Sequence, residues 1–171
     1  MARIERKYLA HFIDANCNVD ADASEANVQY IRLGQDLEAF AEELSPQVDI
    51  RRNILGEQTV IHNGYEVSSS VEPFYAEDGD PLYEQLKKIA NERLNGDDCR
   101  TTRVEAYFTL GSNGNLECQW AYRENCWIVP QSFGGDTSGI QIPFQILNCG
   151  DRVEGTMVKS GNTWTFTKKN A

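Results

Sequence analysis

The chain has 171 residues, of which 40% are hydrophobic, and this length and composition suit one domain with a single core. The formal net charge of −10 argues against a tightly bound nucleic acid, because phosphate neutralisation requires clusters of lysine and arginine. The mean hydropathy of −0.52 and the lack of a long apolar run predict no membrane span, and the charged N-terminal residues predict no secretion signal.

The acidic stretch 15–26 is small and polar, which predicts a mobile loop. Its run N-V-D-A-D-A-S resembles the start of a calcium-binding loop. It lacks the turn glycine and the closing glutamate, so no metal site is predicted. The five cysteines are odd in number and include no C-x-x-C pair, so we expect free thiols rather than a zinc site or a disulfide framework.

Strand patterns follow this loop. An apolar, β-branched run over 28–33 predicts a strand, whereas residues 37–44 fit a short helix as well as a strand. The dipeptide Asn63-Gly64 is the strongest short hairpin signal in the chain. It predicts a turn that joins a strand over 58–62 to a strand over 65–71.

One amphipathic helix is predicted at about residues 80–95. Asp80 is a good N-cap, Pro81 suits the first helical position, and Gly96 supplies a C-terminal stop. The residues of its apolar stripe are Leu82, Leu86, Ile89, Ala90 and Leu94. A single stripe of this kind needs a sheet to cover, so the helix is expected to flank β-structure.

Strands dominate the C-terminal half. The predicted strands are Arg103–Leu110, Leu116–Tyr122, Cys126–Val129, Asp151–Lys159 and Asn162–Thr167. Alternation in the second of these places Cys118, Trp120 and Tyr122 on one face. With the helix, these patterns predict a mainly β fold, namely an antiparallel β-sandwich or half-barrel flanked by one α-helix.

The stretch SFGGDTSGIQIPFQI (132–146) is a near miss to a phosphate-binding loop. Such a loop needs lysine and then serine or threonine after its second glycine, but Ile140 and Gln141 follow Gly139. The glycines are therefore interpreted as a turn that leads into a strand. Because proline cannot donate to a sheet ladder, Pro143 predicts an edge strand or a bulge, and an exposed edge is a potential assembly surface.

No catalytic constellation is predicted. His11 and His62 are the only histidines, and neither forms a recognisable set with a nucleophile. Acidic pairs such as Glu42-Glu43 lack apolar surroundings and are interpreted as solvated surface. The three tryptophans alternate with polar neighbours, which favours core packing over a sugar-binding face. We therefore predict no enzyme activity, no cofactor and no metal.

Four segments in a characteristic order cover most of the chain. They are IERKYLAHFIDA (4–15), DLEAFAEELSPQVDIRRNILGE (36–57), HNGYEVSSSVEPFYAEDGDPLYEQL (62–86) and AYRENCWIVPQSFGGDTSGIQIPFQI (121–146). In these blocks the chain resembles the tail tube proteins, or major tail proteins, of long-tailed, non-contractile (siphophage-type) phages and prophages. The resemblance includes no catalytic signature.

The resemblance implies one tail-tube domain over 1–171, with an N-terminal arm at 1–12 and a long loop or hairpin region at 51–80. It implies subunits that form rings, typically hexamers, and rings that stack into a tube through loops and arms. The candidate assembly residues that it implies are Ile4, Arg6, Lys7, Tyr8, Arg51, Arg52, Asn63 and Gly64. Pro143 is added from the edge-strand argument.

The partners implied are further copies of this chain and the tape-measure, terminator and baseplate or distal tail proteins, with no membrane. Double-stranded DNA is expected to pass through the lumen without specific binding, since an acidic wall repels phosphates. The implied location is the virion tail, after synthesis in the cytoplasm of a bacterial host. Two alternatives stay open: a tail terminator or other ring-forming tail or neck protein, and a lectin-like ligand-binding β-sandwich.

Overall fold

Eleven strands and one α-helix make up the described chain, which in this computed structural model comprises residues 1–19 and 27–170. In chain order they are β1 (Leu9–Asp14), β2 (Tyr30–Leu33), β3 (Pro46–Arg52), β4 (Gln58–Tyr65), β5 (Ser68–Val71), α1 (Pro81–Glu92), β6 (Arg100–Leu110), β7 (Leu116–Pro130), β8 (Gly134–Asp136), β9 (Gly139–Gln141), β10 (Phe144–Ser160) and β11 (Thr163–Lys168). β1 begins within the segment 1–12 that the resemblance assigns to an arm. Most of the predicted loop at 15–26, with its calcium-like run, lies outside the described residues.

Seven of the strands form one antiparallel sheet. Its order is β11–β10–β7–β6–β1–β2, and β5 pairs alongside the start of β10. The sheet twists so strongly that its two end strands, β11 and β2, contact each other. The result is a curled half-barrel, and the predicted mainly β fold with one flanking helix is confirmed. No helix within the described ranges has the length and apolar character needed to span a membrane.

The curled sheet buries apolar side chains on both faces. Inside the curl lie Ala10, Phe12, Tyr30, Val104, Ala106, Phe108, Ala121, Met157 and Phe166. On the outer face, α1 packs its Leu82, Leu86 and Ile89 against a cluster that contains Ile128, Phe144 and Ile146. Burial on both faces follows from the alternation of the strands, which sends successive side chains to opposite sides of the sheet.

Helix α1 begins where the sequence predicts. The Leu82 N–H donates a hydrogen bond to Asp80 Oδ1 at 2.9 Å, and Pro81 occupies the first turn. The predicted C-terminal stop at Gly96 is wrong, because the helix ends at Glu92. Arg93 adopts the left-handed conformation there, with φ of 55°, and its N–H caps the last turn.

Replacing Asp80 with alanine is expected to lower the free energy of unfolding by about 1 kcal/mol, because one N–H of the first turn loses its acceptor. The measurement is urea denaturation followed by circular dichroism. Asp78→Ala is the matched control, since Asp78 is exposed and lies ahead of the cap. Equal losses from the two substitutions would contradict a capping role for Asp80.

β7 joins two predicted strands into one. A register shift after Tyr107 interrupts its pairing with β6, so Cys118 pairs with Phe108 while Trp120 pairs with Tyr107. Cys118 therefore faces the inner core, and Trp120 and Tyr122 lie on the opposite side of the sheet. The predicted common face of these three residues is wrong, because a bulge reverses the alternation between them.

The start of β10 lies inside the sheet. It pairs with β7 on one side and with β5 on the other, so the edge strand predicted from Pro143 is wrong. Pro143 lies between β9 and β10, where the missing N–H interrupts strand continuity. Just before Pro143, the Ile142 N–H donates a hydrogen bond to the Phe74 carbonyl at 2.9 Å. Pairing of β10 with β7 begins just after it, at Phe144.

Candidate assembly surface

β3 and β4 form a hairpin over Pro46–Tyr65, which we call the long hairpin. It pairs with no other strand of the described chain. Its turn is built by Asn53, whose Oδ1 accepts hydrogen bonds from the N–H groups of Leu55 and Glu57 at 2.9 and 3.0 Å. The turn predicted at Asn63-Gly64 is therefore wrong. Both residues belong to β4, where Gly64 has φ of 109° and the pairing with β3 shifts its register without reversing the chain.

One face of the long hairpin is apolar and exposed. Val48, Ile50 and Val60 share that face, because Ile50 pairs with Val60 and side chains alternate along each strand. Ile50 is 63% exposed and Leu55, in the turn, is 77% exposed. A two-stranded hairpin alone is marginally stable in water, and a contiguous exposed apolar patch marks an interaction surface. The long hairpin is therefore the candidate assembly surface.

Four predicted assembly residues lie on the long hairpin. Arg51 and Arg52 end β3, and Asn63 and Gly64 lie near the end of β4. The long hairpin contains two arginines and two acidic residues and so has no net charge, whereas the whole chain carries −10. The negative charge of the chain makes two copies repel each other electrostatically, but the long hairpin adds nothing to that repulsion.

The remaining predicted assembly residues lie elsewhere. Ile4, Arg6, Lys7 and Tyr8 precede β1, and the last three form a 3-10 turn. The Arg6 guanidinium holds this turn against the sheet by donating to the carbonyls of Leu9 and Phe40. Pro143 lies on neither the N-terminal turn nor the long hairpin. The structure thus separates the predicted residues into three places.

A buried ion cluster anchors the segment that leads into the long hairpin. Arg103 of β6 is 1% exposed, and its Nη2 lies 2.5 Å from Oε1 of Glu42. Glu42 belongs to the segment between β2 and β3. The next residue, Glu43, exchanges two backbone hydrogen bonds with Ser68 of β5, at 2.8 and 3.0 Å. The base of the long hairpin is therefore fixed to the half-barrel.

Arg103 also bonds to three other strands. It donates to Ser69 Oγ at 3.1 Å, to Asn148 Oδ1 at 3.3 Å and to His11 Nδ1 at 3.0 Å. These partners come from β5, β10 and β1. The alternation of β6 places Arg103 opposite the apolar face of its strand. It does not predict burial, because the covering residue Glu42 is far away in the sequence.

Three more charged residues complete the ion cluster. Arg152 of β10 lies 2.9 Å from Glu105 and 3.1 Å from Glu124. Burial, together with the negative charge of Glu42, raises the pKa of Glu105 from its ordinary 4.5 to about 7. Burial also raises the pKa of Glu124. Glu105 of the cluster thus binds a proton near neutral pH.

We expect the stability of the protein to fall as pH rises from about 4.5 to 7. Between these pH values the folded state keeps a proton on Glu105, whereas the unfolded chain loses it. The free energy of unfolding should therefore be about 3 kcal/mol lower above pH 7 than below pH 4.5. Glu105→Gln should flatten this dependence in urea unfolding measured at several pH values. Glu117→Gln, at an exposed position, is the control. An unchanged slope in Glu105→Gln would contradict the assignment.

The glycine-rich stretch forms a small hairpin from β8 and β9. Ser138 N–H donates to Asp136 Oδ1 at 2.7 Å in its turn, and a side chain at Gly135 would place Cβ 2.0 Å from the Gly139 carbonyl oxygen. The interpretation as a turn is confirmed. In the parts of the chain that the structure describes, no three His, Cys, Asp or Glu residues are grouped to hold a metal, and the five cysteines are free thiols.

A curled half-barrel with one flanking helix defines a tail-tube-like fold. No protein-family model matches the chain, and no curated protein matches it. Among solved structures the chain is similar to the anti-feeding prophage cap, a tube-terminating cap, with a TM-score of 0.50 and 8% identity. That match covers 91% of this chain and 93% of the cap. The likeness shows the fold of the chain.

Two further solved structures are similar. One is the sheath/tube terminator of an extracellular contractile injection system in the extended state, with a TM-score of 0.49, 9% identity, and coverage of 90% of this chain and 97% of that chain. The other is an Hcp protein, with a TM-score of 0.37, 10% identity, and coverage of 95% of this chain and 98% of that chain.

Proposed function

We propose that the chain is a structural subunit of a phage-type tail tube, which joins copies of itself into rings that stack into a hollow tube. The observation that carries the proposal is the long hairpin, whose apolar face is exposed and which joins no other strand in the described ranges. Burying that face against another copy is favourable in proportion to the apolar area removed from water. The tail-tube-like fold supports the same proposal.

The assembly surface that we propose has two main parts. One is the long hairpin, including Arg51, Arg52, Asn63 and Gly64. The other is the N-terminal segment Ile4–Tyr8. Pro143 is left out of the proposed surface, because the strand that follows it is not an edge strand. We propose that each ring contains six subunits. This number comes from the resemblance to siphophage tail tube proteins, since a single chain carries no information on ring symmetry.

The charge of the chain supports a role as a conduit. A subunit with a net charge of −10 repels phosphates, so a ring of such subunits lets double-stranded DNA pass without holding it. We propose a non-enzymatic role in the virion tail, reached after synthesis in the bacterial cytoplasm. The partners proposed are further copies of the chain and the tape-measure, terminator and distal tail proteins.

A tail terminator is the second candidate. The fold likeness to a tube-terminating cap favours it, since a cap and a tube subunit can share the half-barrel. The two roles differ in whether rings stack without limit. The first candidate is the non-contractile tube subunit, because the blocks of sequence resemble that family.

Negative-stain electron microscopy of the purified, concentrated protein tests the proposal. We expect long hollow tubes, or rings together with short stacks of them. Isolated rings that never stack would favour the terminator role. A protein that stays monomeric at every concentration would contradict both roles, and mass photometry over the same concentrations provides the count of subunits.

A further inference from the structure

A cavity of about 390 Å³ lies between the N-terminal turn, β1, β2 and the segment that follows β2. We call this cavity the basic pocket, because its lining includes Arg6, Lys7, His11 and Arg32. Glu38 is the acidic residue among its lining residues. Such a concentration of positive charge is unexpected in a chain whose net charge is −10.

The two arginines of the basic pocket bond to backbone carbonyls. Arg6 donates to Phe40 O at 3.1 Å, and Arg32 donates to Lys7 O at 2.9 Å. In the described ranges, neither guanidinium forms an ion pair with a carboxylate; the nearest ion pair is between Lys7 and Glu5 at 2.6 Å. A guanidinium has five N–H donors, so both retain donors for an acceptor in the cavity.

His11 adds a buried donor to the same cavity. Its side chain is 4% exposed, and its Nδ1 accepts a hydrogen bond from Arg103. Arginine only donates, so the proton of the neutral ring lies on Nε2. Burial, together with the positive charges of Arg103, Arg6 and Arg32, lowers the pKa of His11 to about 3, so the ring is neutral.

The Nε2–H group of His11 has no acceptor among the described residues. A buried donor without an acceptor has lost its hydrogen bond to water, and a group that accepts from it restores that bond. The basic pocket therefore combines an unused buried donor with two guanidinium groups. A carboxylate can accept hydrogen bonds from the imidazole N–H and from the guanidinium groups, and arginine pairs with a carboxylate through two parallel hydrogen bonds.

We infer that the basic pocket binds a carboxylate, and that in the assembled protein this carboxylate is an acidic side chain of a second copy of the chain. The inference rests on the proposed function for the identity of the partner. Acidic residues are abundant on each copy, with 26 in the chain, whereas the pocket gathers three cations, Arg6 and Lys7 from the N-terminal turn and Arg32 from β2. Docking of a carboxylate would also place the N-terminal segment at a subunit contact.

The first test uses the dilute, unassembled full chain and sodium acetate as the probe. Long-range 15N–1H spectra resolve the imidazole signals, and His62 on the long hairpin serves as the internal reference. We expect the His11 signals to shift and saturate with acetate, and not with sodium chloride at equal ionic strength. Absence of a saturable shift would overturn the inference, whether or not the protein forms tubes.

Variants assign the shift to the pocket. Arg32→Gln should weaken acetate binding by at least about tenfold, since it removes the charged fork that holds the anion. Glu38→Gln should strengthen binding, because it removes a competing carboxylate from the lining. Arg93→Gln removes the same charge at the end of α1 and should leave binding unchanged. Equal effects of Arg32→Gln and Arg93→Gln would overturn the inference.

A second test identifies the source of the carboxylate. We expect saturating acetate to slow tube or ring formation relative to equal sodium chloride, and Arg32→Gln to reduce assembly while the chain stays folded. Acetate that binds without affecting assembly would overturn the second copy as the source and indicate a free small carboxylate. Acetate binding in a chain that never assembles would contradict the proposed function and leave the carboxylate site standing.

Discussion

Replacing Ile50 with aspartate is expected to abolish assembly while the single chain stays folded. Ile50 lies at the centre of the apolar face of the long hairpin and is 63% exposed, so its replacement removes no contact from the core. In an assembled ring the same position would bury an unpaired carboxylate, which costs at least about 2 kcal/mol per subunit. This corresponds to a loss of affinity of more than about tenfold at each contact.

Sedimentation and negative-stain electron microscopy measure this loss. Thr165→Asp is the matched control, because Thr165 is exposed on β11, outside the proposed assembly surface, and gains the same charge. The control should assemble nearly as well as the original chain. Tubes or rings from Ile50→Asp at the original concentration would show that the apolar face is not a subunit contact.

Arg103→Met should lower the free energy of unfolding by about 3 to 5 kcal/mol. The substitution keeps an unbranched apolar side chain in place of the aliphatic part of arginine but leaves Glu42 beside β6 without its partner. It also removes the donors to Ser69 and Asn148. A loss of this size is a large fraction of the stability of a single domain, so the variant should be recognisable from its urea midpoint alone.

A double-mutant cycle separates the ion pair from the other contacts of Arg103. Glu42→Gln combined with Arg103→Met removes both charges, and the combined loss should be smaller than the sum of the two single losses. Strict additivity of the two losses would contradict direct coupling between the two side chains. A loss below about 1 kcal/mol in Arg103→Met would contradict its role as an anchor.

The local features of α1 could be predicted because they depend on neighbouring residues. Asp80 caps the helix through a bond to Leu82, two residues away, and the buried residues repeat at helical spacing. The stop at Gly96 could not be predicted in the same way. Arg93 ends the helix earlier, in a left-handed conformation that glycine adopts more readily than arginine.

The long hairpin shows where local turn signals compete. Asn63-Gly64 is the stronger signal on its own, but Gly56, with φ of 81°, and the side chain of Asn53 close the turn instead. Choosing between the two requires knowledge of which strand lies opposite β4. That strand is β3, whose residues pair with β4 from Arg52 back to Pro46.

The candidate assembly site could be predicted in part. The resemblance pointed to Arg51 and Arg52, and the structure places both on the exposed long hairpin, where their role in assembly stays a prediction. The ion cluster and the basic pocket were not predicted. His11, Arg103 and Glu42 are brought together from distant parts of the chain, and no spacing in the sequence marks them as neighbours.

The class of the fold could be predicted from the alternation of the strands and from one capped amphipathic helix. The order of the strands in the sheet, the burial of the ion cluster on one face of β6 and the position of the long hairpin became known only from the folded chain. Strand pairing joins residues that are remote in sequence, such as Leu9 with Tyr107. Burial and electrostatics depend on those neighbours, whereas strand and helix propensities depend on adjacent residues.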